Sequence, residues 1–322
     1  MKRSVYLSAG CLVLMVLACG GPAALKPTPT PVNRLDSIPA TAVKMTLAND
    51  PWPPLASPGW SQPVPLEGPI NTAGAEDSPF IPVDGRTFYF FFTPDASIPA
   101  ERQVGDGVTG IWMSPWTGSG WGEPVRVRLT QGDEVALDGC EFILGDEMWF
   151  CSARAGNRHN IDWYIAHRSN DTWSDWQNAG EPISGDYQVG ELHITRDGQQ
   201  MYFGSKRDGG SGGMDLWVSQ RIGDDWGEPL NLGAAVNTTA DEGWPYLTPD
   251  GLELWFNRNW GIVRCSLQTN GEWGGCQDII TQLAGEPTLS PDGQTLYFVH
   301  HYMTDDLSKI IEADIYVSHR IP

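Results

Sequence analysis

Acidic side chains begin five similar stretches of the chain, and they are the residues that could do chemistry together. They are Asp77, Asp138, Glu191, Glu242 and Glu286, with Glu76 and Asp241 beside two of them. If the stretches converge, three roles are open. The carboxylates could satisfy backbone donors at the strand starts or pair with Arg154 and Arg207 of neighbouring repeats. They could bind calcium as hard oxygen ligands, or two of them could act as acid and base on a sugar.

Two tryptophans and a histidine lie near these acids in the sequence. Trp244 stands where other stretches have an acid or Ser, and Trp260 follows in the next loop. Indole rings beside carboxylates can stack on a sugar ring and hydrogen-bond it, although packing between repeats would also explain them. His193 follows Glu191 by two residues, so in a strand both side chains share one face. It could contact a ligand or only pack between repeats.

A repeated phrase must position these residues. Residues 286–298 read E-P-T-L-S-P-D-G-Q-T-L-Y-F, which predicts a short strand, an S-P-D-G turn and a second strand. The phrase stands again at 244–256, 191–203 and 78–90, with a worn copy at 138–150. Because every copy places its final Phe twelve residues after its first residue, the chain is predicted to be a repeat protein.

Two further phrases complete each repeat. A D-I-W-type sequence, as at 215–219, predicts a third strand, and a fourth is predicted after the W-x-E-P phrase, as at 226–229. Each repeat is therefore predicted to hold four strands, named A to D in chain order. The last repeat ends after strand C, while residues 60–71 supply a strand D before the first strand A. Closure of a ring removes exposed sheet edges. We therefore predict an all-β fold over residues 59–322: a five-bladed β-propeller of four-stranded antiparallel blades, with an N-terminal strand completing the last blade.

These phrases resemble the WD40-like repeat of TolB-like β-propellers and of cell-envelope proteins. The third repeat fits best, from Phe203 through Ser205 and Arg207 to Asp215 and Trp217. The resemblance covers residues 60–322 and implies the fold, whereas this repeat serves many binding roles.

The order of the acids is also similar to five-bladed glycoside hydrolases of the arabinanase and xylosidase type. That similarity would make Asp77 the base, Asp138 the modulating acid and Glu191 the general acid. Such chemistry needs one ionised and one protonated carboxyl facing each other across a sugar.

The N-terminus predicts export. A basic start precedes an apolar run from Val5 to Ala18, which is typical of a signal peptide over residues 1–18. The letters V-L-A-C-G resemble a bacterial lipobox, which implies acylation of Cys19; an ordinary signal peptide with an incidental Cys is the alternative. Residues 19–58 include P-T-P-T-P and predict a lipid-anchored, Pro-rich linker. We expect a cell-envelope protein that faces the periplasm or the exterior and meets the membrane only through its lipid.

Charge and site composition together favour binding. A formal net charge of −20 argues against a nucleic-acid partner. We expect a monomer that binds a glycan or an envelope protein through a site containing Trp244, Trp260, His193, Glu242 and Glu286. The alternative is a glycoside hydrolase that uses Asp77, Asp138 and Glu191. No cofactor is expected apart from the calcium alternative.

Four cysteines follow Cys19, and they predict two local disulfides. Cys140 and Cys151 are equidistant from a G-D turn, and Cys265 and Cys276 are equidistant from an N-G turn, a hairpin signal. Disulfides persist in exported proteins. The alternative is four buried thiols; the spacing lacks the ligands of a zinc site.

Overall fold

The computed structural model describes residues 33–129, 134–169, 172–181, 183–185 and 189–321. The predicted signal peptide 1–18 and Cys19 lie outside these residues. The described chain is nearly all β, with two short 3-10 helices, Arg34–Ser37 and Ala100–Arg102. No helix in these ranges has both the length and the apolar character needed to cross a membrane.

Two short strands precede the repeats: β1 (Leu55–Ala56) and β2 (Val64–Pro65). The first repeat holds β3 (Ala75–Phe80), β4 (Thr87–Thr93), β5 (Gly110–Pro115) and β6 (Val125–Arg126). The second holds β7 (Ala136–Leu144), β8 (Glu147–Arg154), β9 (Asp162–Ser169) and β10 (Thr172–Asn178). The third holds β11 (Val189–Ile194), β12 (Gln200–Ser205), β13 (Asp215–Ile222), β14 (Asp225–Trp226) and β15 (Leu230–Asn231). The fourth holds β16 (Glu242–Leu247), β17 (Glu253–Arg258), β18 (Gly261–Leu267) and β19 (Trp273–Thr281), and the fifth β20 (Ala284–Leu289), β21 (Thr295–Met303) and β22 (Ile310–His319).

Strands of each repeat pair antiparallel in chain order. The two N-terminal strands extend later sheets, since β1 pairs with β19 and β2 pairs with β22. The first and fifth repeats share one sheet through a single parallel pair, Ala75 with Ala313. The fold is thus a set of antiparallel, mostly four-stranded sheets, which is consistent with the predicted propeller.

The turns between strands A and B form as the S-P-D-G phrase predicts. Ser290 Oγ donates to Asp292 Oδ1 over 2.6 Å, and Gly293 has a φ of +68°. The fourth repeat uses Thr248 and Asp250 in the same way. Because these hydrogen bonds favour the ionised carboxylate, the pKa values of Asp292 and Asp250 are lowered.

Equivalent residues of the five strands A face equivalent residues of the strands B. The pairs are Phe80 with Tyr89, Phe142 with Trp149, His193 with Tyr202, Tyr246 with Trp255 and Thr288 with Tyr297. In the second repeat the paired residues are seven positions apart rather than nine, because a two-residue turn joins Leu144 to Glu147. The repeats therefore share one register despite this shorter turn.

Both predicted disulfides are present, which confirms the pairing. Cys140–Cys151 joins β7 to β8, and Cys265–Cys276 joins β18 to β19. Each bridge lies at an irregularity in its strand ladder. The N-G sequence lies in a longer connection than a two-residue turn, since the ladder ends at the pair Leu267 and Trp273.

Residues 33–58, which we call the strap, form the later part of the predicted linker and lie against the sheets. Their ion pairs join Arg34 to Glu76, Lys44 to Glu312 and Asp314, and Asp50 to His300. The first and last of these span 3.2 and 2.9 Å. This stretch therefore packs on the body, because its charged side chains meet buried partners there.

Candidate functional site

A β-bulge interrupts strand A in every repeat. The bulge residue stands two positions before the strand A member of the equivalent pairs given above, for example Ser78 before Phe80. In four repeats the residue there has a positive φ: Ser78 (+50°), Cys140 (+56°), Trp244 (+53°) and Glu286 (+56°). Glu191 holds this position in the third repeat. Positive φ is uncommon outside glycine and concentrates at functional sites, and bulges re-aim side chains next to such sites.

These bulges surround a small cavity, which we call the acidic chamber. Its walls include Ser78, Glu141, Glu191, Trp244 and Glu286, and its volume is about 50 Å³. The backbone N–H of Ser78 donates to Glu286 Oε2 over 2.7 Å and to Asp77 Oδ1 over 2.9 Å. Asp77 is therefore tied directly to the chamber wall.

Burial sets the protonation of this cluster. Burial raises the pKa of Glu286 well above its usual value, and the charges of Asp77 and Glu191 raise it further. The pKa of Glu141 is raised in the same way, first by burial and also by Asp77 and Glu191. Mutually close carboxyls in a buried site disfavour one another's ionisation, so each charge in this cluster makes a further one less favourable.

Two polar groups of the chamber have unused hydrogen-bonding capacity. Glu141 is 5% exposed, and neither of its carboxylate oxygens has a hydrogen-bond partner on another described residue; only its own backbone N–H lies near enough to affect it. The buried indole Nε1 of Trp244 also has none there. Leaving a buried polar group unpaired costs about 1–3 kcal/mol, so both groups favour a ligand that would pair them.

Aromatic rings line the chamber on the side toward the ends of the strands A. Phe80, Phe142, His193 and Tyr246, which we call the ring layer, contact one another with centroids 4.8 to 5.0 Å apart. Burial lowers the pKa of His193 to about 3, so its imidazole is neutral at physiological pH. On the far side lies a second cavity of about 180 Å³.

Other predicted site acids are held away from the chamber. Asp138 accepts from Arg154 Nη2 over 2.7 Å and from Ser152 Oγ over 2.6 Å. Glu242 is fully buried and accepts from Arg258 Nε over 2.9 Å. Neither is part of the chamber lining, whereas Glu191 is. An arginine pairs with each of these two acids, and it belongs to the same repeat rather than to the neighbouring repeat that the structural alternative expected.

Trp260 lies outside the chamber wall. It occupies the tight turn between β17 and β18 with a φ of +57° and packs edge-on against His301, with ring centroids 5.5 Å apart. Burial lowers the pKa of His301, and the nearby charge of Asp77 opposes that shift. Trp260 therefore contacts His301, whose pKa responds to Asp77, whereas Trp244 lines the chamber itself.

Sequence reasoning missed Glu141, which the structure adds to the chamber. Among the described residues, no three His, Cys, Asp or Glu side chains are arranged to hold a metal ion. The calcium alternative therefore gains no support from this geometry.

No family model matches the chain, and no curated protein matches it. Among solved structures it is similar to a luciferin-regenerating enzyme (11% identity, 77% of this chain and 92% of that chain covered, TM-score 0.44). It is similar to the endo-arabinase from Bacteroides thetaiotaomicron (12%, 80% and 97%, 0.43) and to a TolB candidate from Agrobacterium tumefaciens (14%, 78% and 92%, 0.40). At these identities and TM-scores the similarities do not decide between binding and hydrolysis.

Proposed function

We propose that this protein is a non-enzymatic binding protein of the bacterial cell envelope, whose acidic chamber receives a cationic side chain from another envelope protein. The observation that carries the proposal is a space of about 50 Å³ that buried carboxyls from different repeats surround. The rest of the molecule would act as a rigid frame for this socket.

The size of the chamber argues against sugar cleavage. Small-molecule sites usually measure about 300–1,000 Å³, and a glycosidase must place a sugar between two carboxyls about 5–10 Å apart. A space of about 50 Å³ suits one terminal group rather than a ring. The hydrolase alternative also needs Asp138, whose carboxylate is paired with Arg154.

The charge of the chamber favours a cation. An ammonium group offers three donors and no acceptor, which suits the unpartnered oxygens of Glu141. It would also relieve the repulsion that raises the pKa of Glu286 and would let that carboxyl ionise. The Trp244 ring could cover the alkyl stem of the incoming side chain.

A protein partner fits the wider features of the chain. The net charge of −20 would attract a basic surface and speed its approach. The signal peptide and the acylated Cys19 are part of this proposal, since they would place the chamber in the envelope, facing the periplasm or the exterior.

Five closed blades form the structural part of the proposal. The pairing of β2 with β22 supports closure, because an N-terminal strand then completes the last sheet. The shared register of strands A and B in all five repeats supports the blade count.

The test compares a lysine peptide with its uncharged analogue. An N-acetylated, C-amidated glycine-lysine-glycine peptide should bind the mature protein in calorimetry, and the norleucine peptide should not. Glu141→Gln and Glu286→Gln should each weaken lysine-peptide binding by about tenfold, the cost of one charged hydrogen bond. Glu67→Gln removes an exposed acid away from the chamber and is the matched control, with unchanged binding expected.

Two results would overturn the proposal. One is binding of neutral arabino- or xylo-oligosaccharides without binding of the lysine peptide. The other is hydrolysis of aryl arabinosides or xylosides that Glu191→Gln abolishes while the fold stays intact, which would establish the hydrolase instead.

A further inference from the structure

The second cavity, which we call the apolar mouth, lies on the other side of the ring layer from the acidic chamber. Each repeat contributes one aliphatic residue to this cavity, the residue directly after the strand A member of the equivalent pairs. These residues are Ile81, Ile143, Ile194, Leu247 and Leu289. Prolines of the A–B turns, Pro82, Pro249 and Pro291, extend the wall outward. The volume is about 180 Å³, with the ring layer as its floor.

Charge in the apolar mouth is opposite to that of the whole protein. Arg168 and Arg196 line it, both with exposed side chains, and Asp84 is the one acidic residue among the described lining. Arg168 lies 5.8 Å from the ring centroid of Trp173 and close enough to Tyr89 to influence its hydroxyl. Two guanidiniums on a chain of net charge −20 form a local positive site.

We propose that the apolar mouth binds a small aliphatic carboxylate, with its hydrocarbon tail inside and its carboxylate between Arg168 and Arg196. Guanidinium groups match carboxylate geometry and hold it with charge-assisted hydrogen bonds. The aliphatic wall gains about 0.8 kcal/mol for each methylene removed from water. A cavity of about 180 Å³ accommodates a chain of several carbons but not a long lipid tail.

This site is separate from the acidic chamber. Phe80, His193 and Tyr246 contact both cavities and stand between them. Because His193 is neutral, the floor of the apolar mouth adds no charge that would repel or attract the tail. The proposal therefore does not depend on what the chamber binds.

The test uses ligands that share one chain and differ in the head group. In calorimetry on the mature protein, octanoate should bind saturably, and octylamine and octanol should bind at least tenfold more weakly. Hexanoate and butanoate should lose roughly fourfold per methylene removed. Equal binding of octylamine, or no saturable heat with octanoate at millimolar concentration, would overturn the proposal.

Two variants locate the site. Val83 is 50% exposed and lines the cavity, so Val83→Trp should block access with little effect on folding. Arg196→Glu should weaken octanoate binding by about tenfold, since it replaces an attraction with a repulsion. Arg102→Glu makes the same charge change at an exposed position outside the lining and should leave the affinity unchanged. Octanoate binding that survives both Val83→Trp and Arg196→Glu would show that the site lies elsewhere.

Discussion

At the scale of single residues, the chamber is distinguished by two buried acids in its wall, Glu141 and Glu286. Glu141 and Glu286 are buried, and each has a pKa well above 4.5 because of burial and neighbouring carboxylates. A protein that only needed a stable core would be better served by apolar side chains here, because burying a carboxyl group without full hydrogen bonding is costly. We therefore interpret the two acids as binding groups.

The titration of Glu141 leads to a pH-dependent stability. Its pKa is higher in the folded chain than the 4.5 of the unfolded one, so the folded state binds more protons above pH 4.5. The stability that protonated Glu141 contributes is full below pH 4.5 and is lost as the pH rises toward its folded pKa. Glu141→Gln removes this loss, because the glutamine amide is neutral at every pH. It should raise the free energy of unfolding at pH 7.5 by about 1 kcal/mol or more.

Urea unfolding between pH 4 and pH 8 measures this effect. The variant and the wild type should coincide near pH 4 and diverge above it, whereas Glu67→Gln should follow the wild type throughout. A Glu141→Gln variant that is less stable than wild type at pH 7.5 would show that the ionised carboxylate has a partner that stabilises it.

The sequence predicted part of this site for physical reasons. Glu191, Trp244 and Glu286 line the chamber because each stands twelve residues before the repeat Phe, and a strand of fixed register keeps that count. In the second repeat the A–B turn is two residues shorter. The residue twelve positions before Phe150 is therefore Asp138, whereas the bulge residue is Cys140. Glu141 follows Cys140, and a gapped comparison of the repeats would have found it.

At the scale of elements, the strap supplies the first repeat with an arginine. Arg34 Nη1 lies 3.2 Å from Glu76 and its guanidinium lies 5.2 Å from the Phe92 ring centroid. Arg258 serves Glu242 and Phe256 in the same way within the fourth repeat. The N-terminal segment therefore replaces a contact that another repeat makes internally.

Removing this arginine should be costly. Arg34 is 4% exposed and donates to the Ile70 carbonyl over 2.8 Å as well as to Glu76. Because Arg34→Ala leaves the buried Glu76 carboxylate without its counter-ion, although Thr72 still donates to it, the change should lower the free energy of unfolding by about 3–5 kcal/mol. Adding Glu76→Gln should recover part of the loss, because the buried side chain at this position is then neutral.

Chemical unfolding of the single and double variants measures the coupling, and Arg258→Ala is the matched comparison. Its side chain is 18% exposed, so its cost should be smaller. If Arg34→Ala changes the stability by less than about 1 kcal/mol, the strap is only loosely attached.

The strap belongs to the segment that the P-T-P-T-P sequence predicts to be a linker, and the sequence places no element in it. Its partners, Glu312, Asp314 and His300, lie some 250 to 270 positions later. Spacing along a chain cannot reveal such pairs, whereas the S-P-D-G turns and both disulfides depend on near neighbours and are confirmed.

At the scale of the whole molecule, the N-terminal segment adds strands to the sheets of the last two repeats, which lie far from it in the sequence. β1 extends the fourth repeat, β2 extends the fifth, and Trp60 packs on Trp255 with ring centroids 5.5 Å apart. The sequence predicted the contact of β2 from what the last repeat lacks, but it did not predict that of β1.

The contacts of the N-terminal segment with the last two repeats should persist after the chain is cut between this segment and the first repeat. A protease site placed at Glu67 and Gly68, which are exposed, would cut between β2 and the first repeat. The cut fragment should stay bound and co-elute with the body in gel filtration. The unfolding midpoint should then depend on protein concentration, since unfolding also separates the pieces. Release of the fragment in native buffer would contradict this account of the closing contacts.

The bulge position has one more consequence. Since each repeat places a single side chain at its bulge, five codons spread over more than two hundred residues set much of the chamber wall, with Glu141 beside the second of them. Substituting one of them, for example Ser78 or Trp244, alters one wall and leaves the other four bulges in their own sheets. Ligand preference could therefore change in single steps during evolution, or in a designed library, without rebuilding the scaffold.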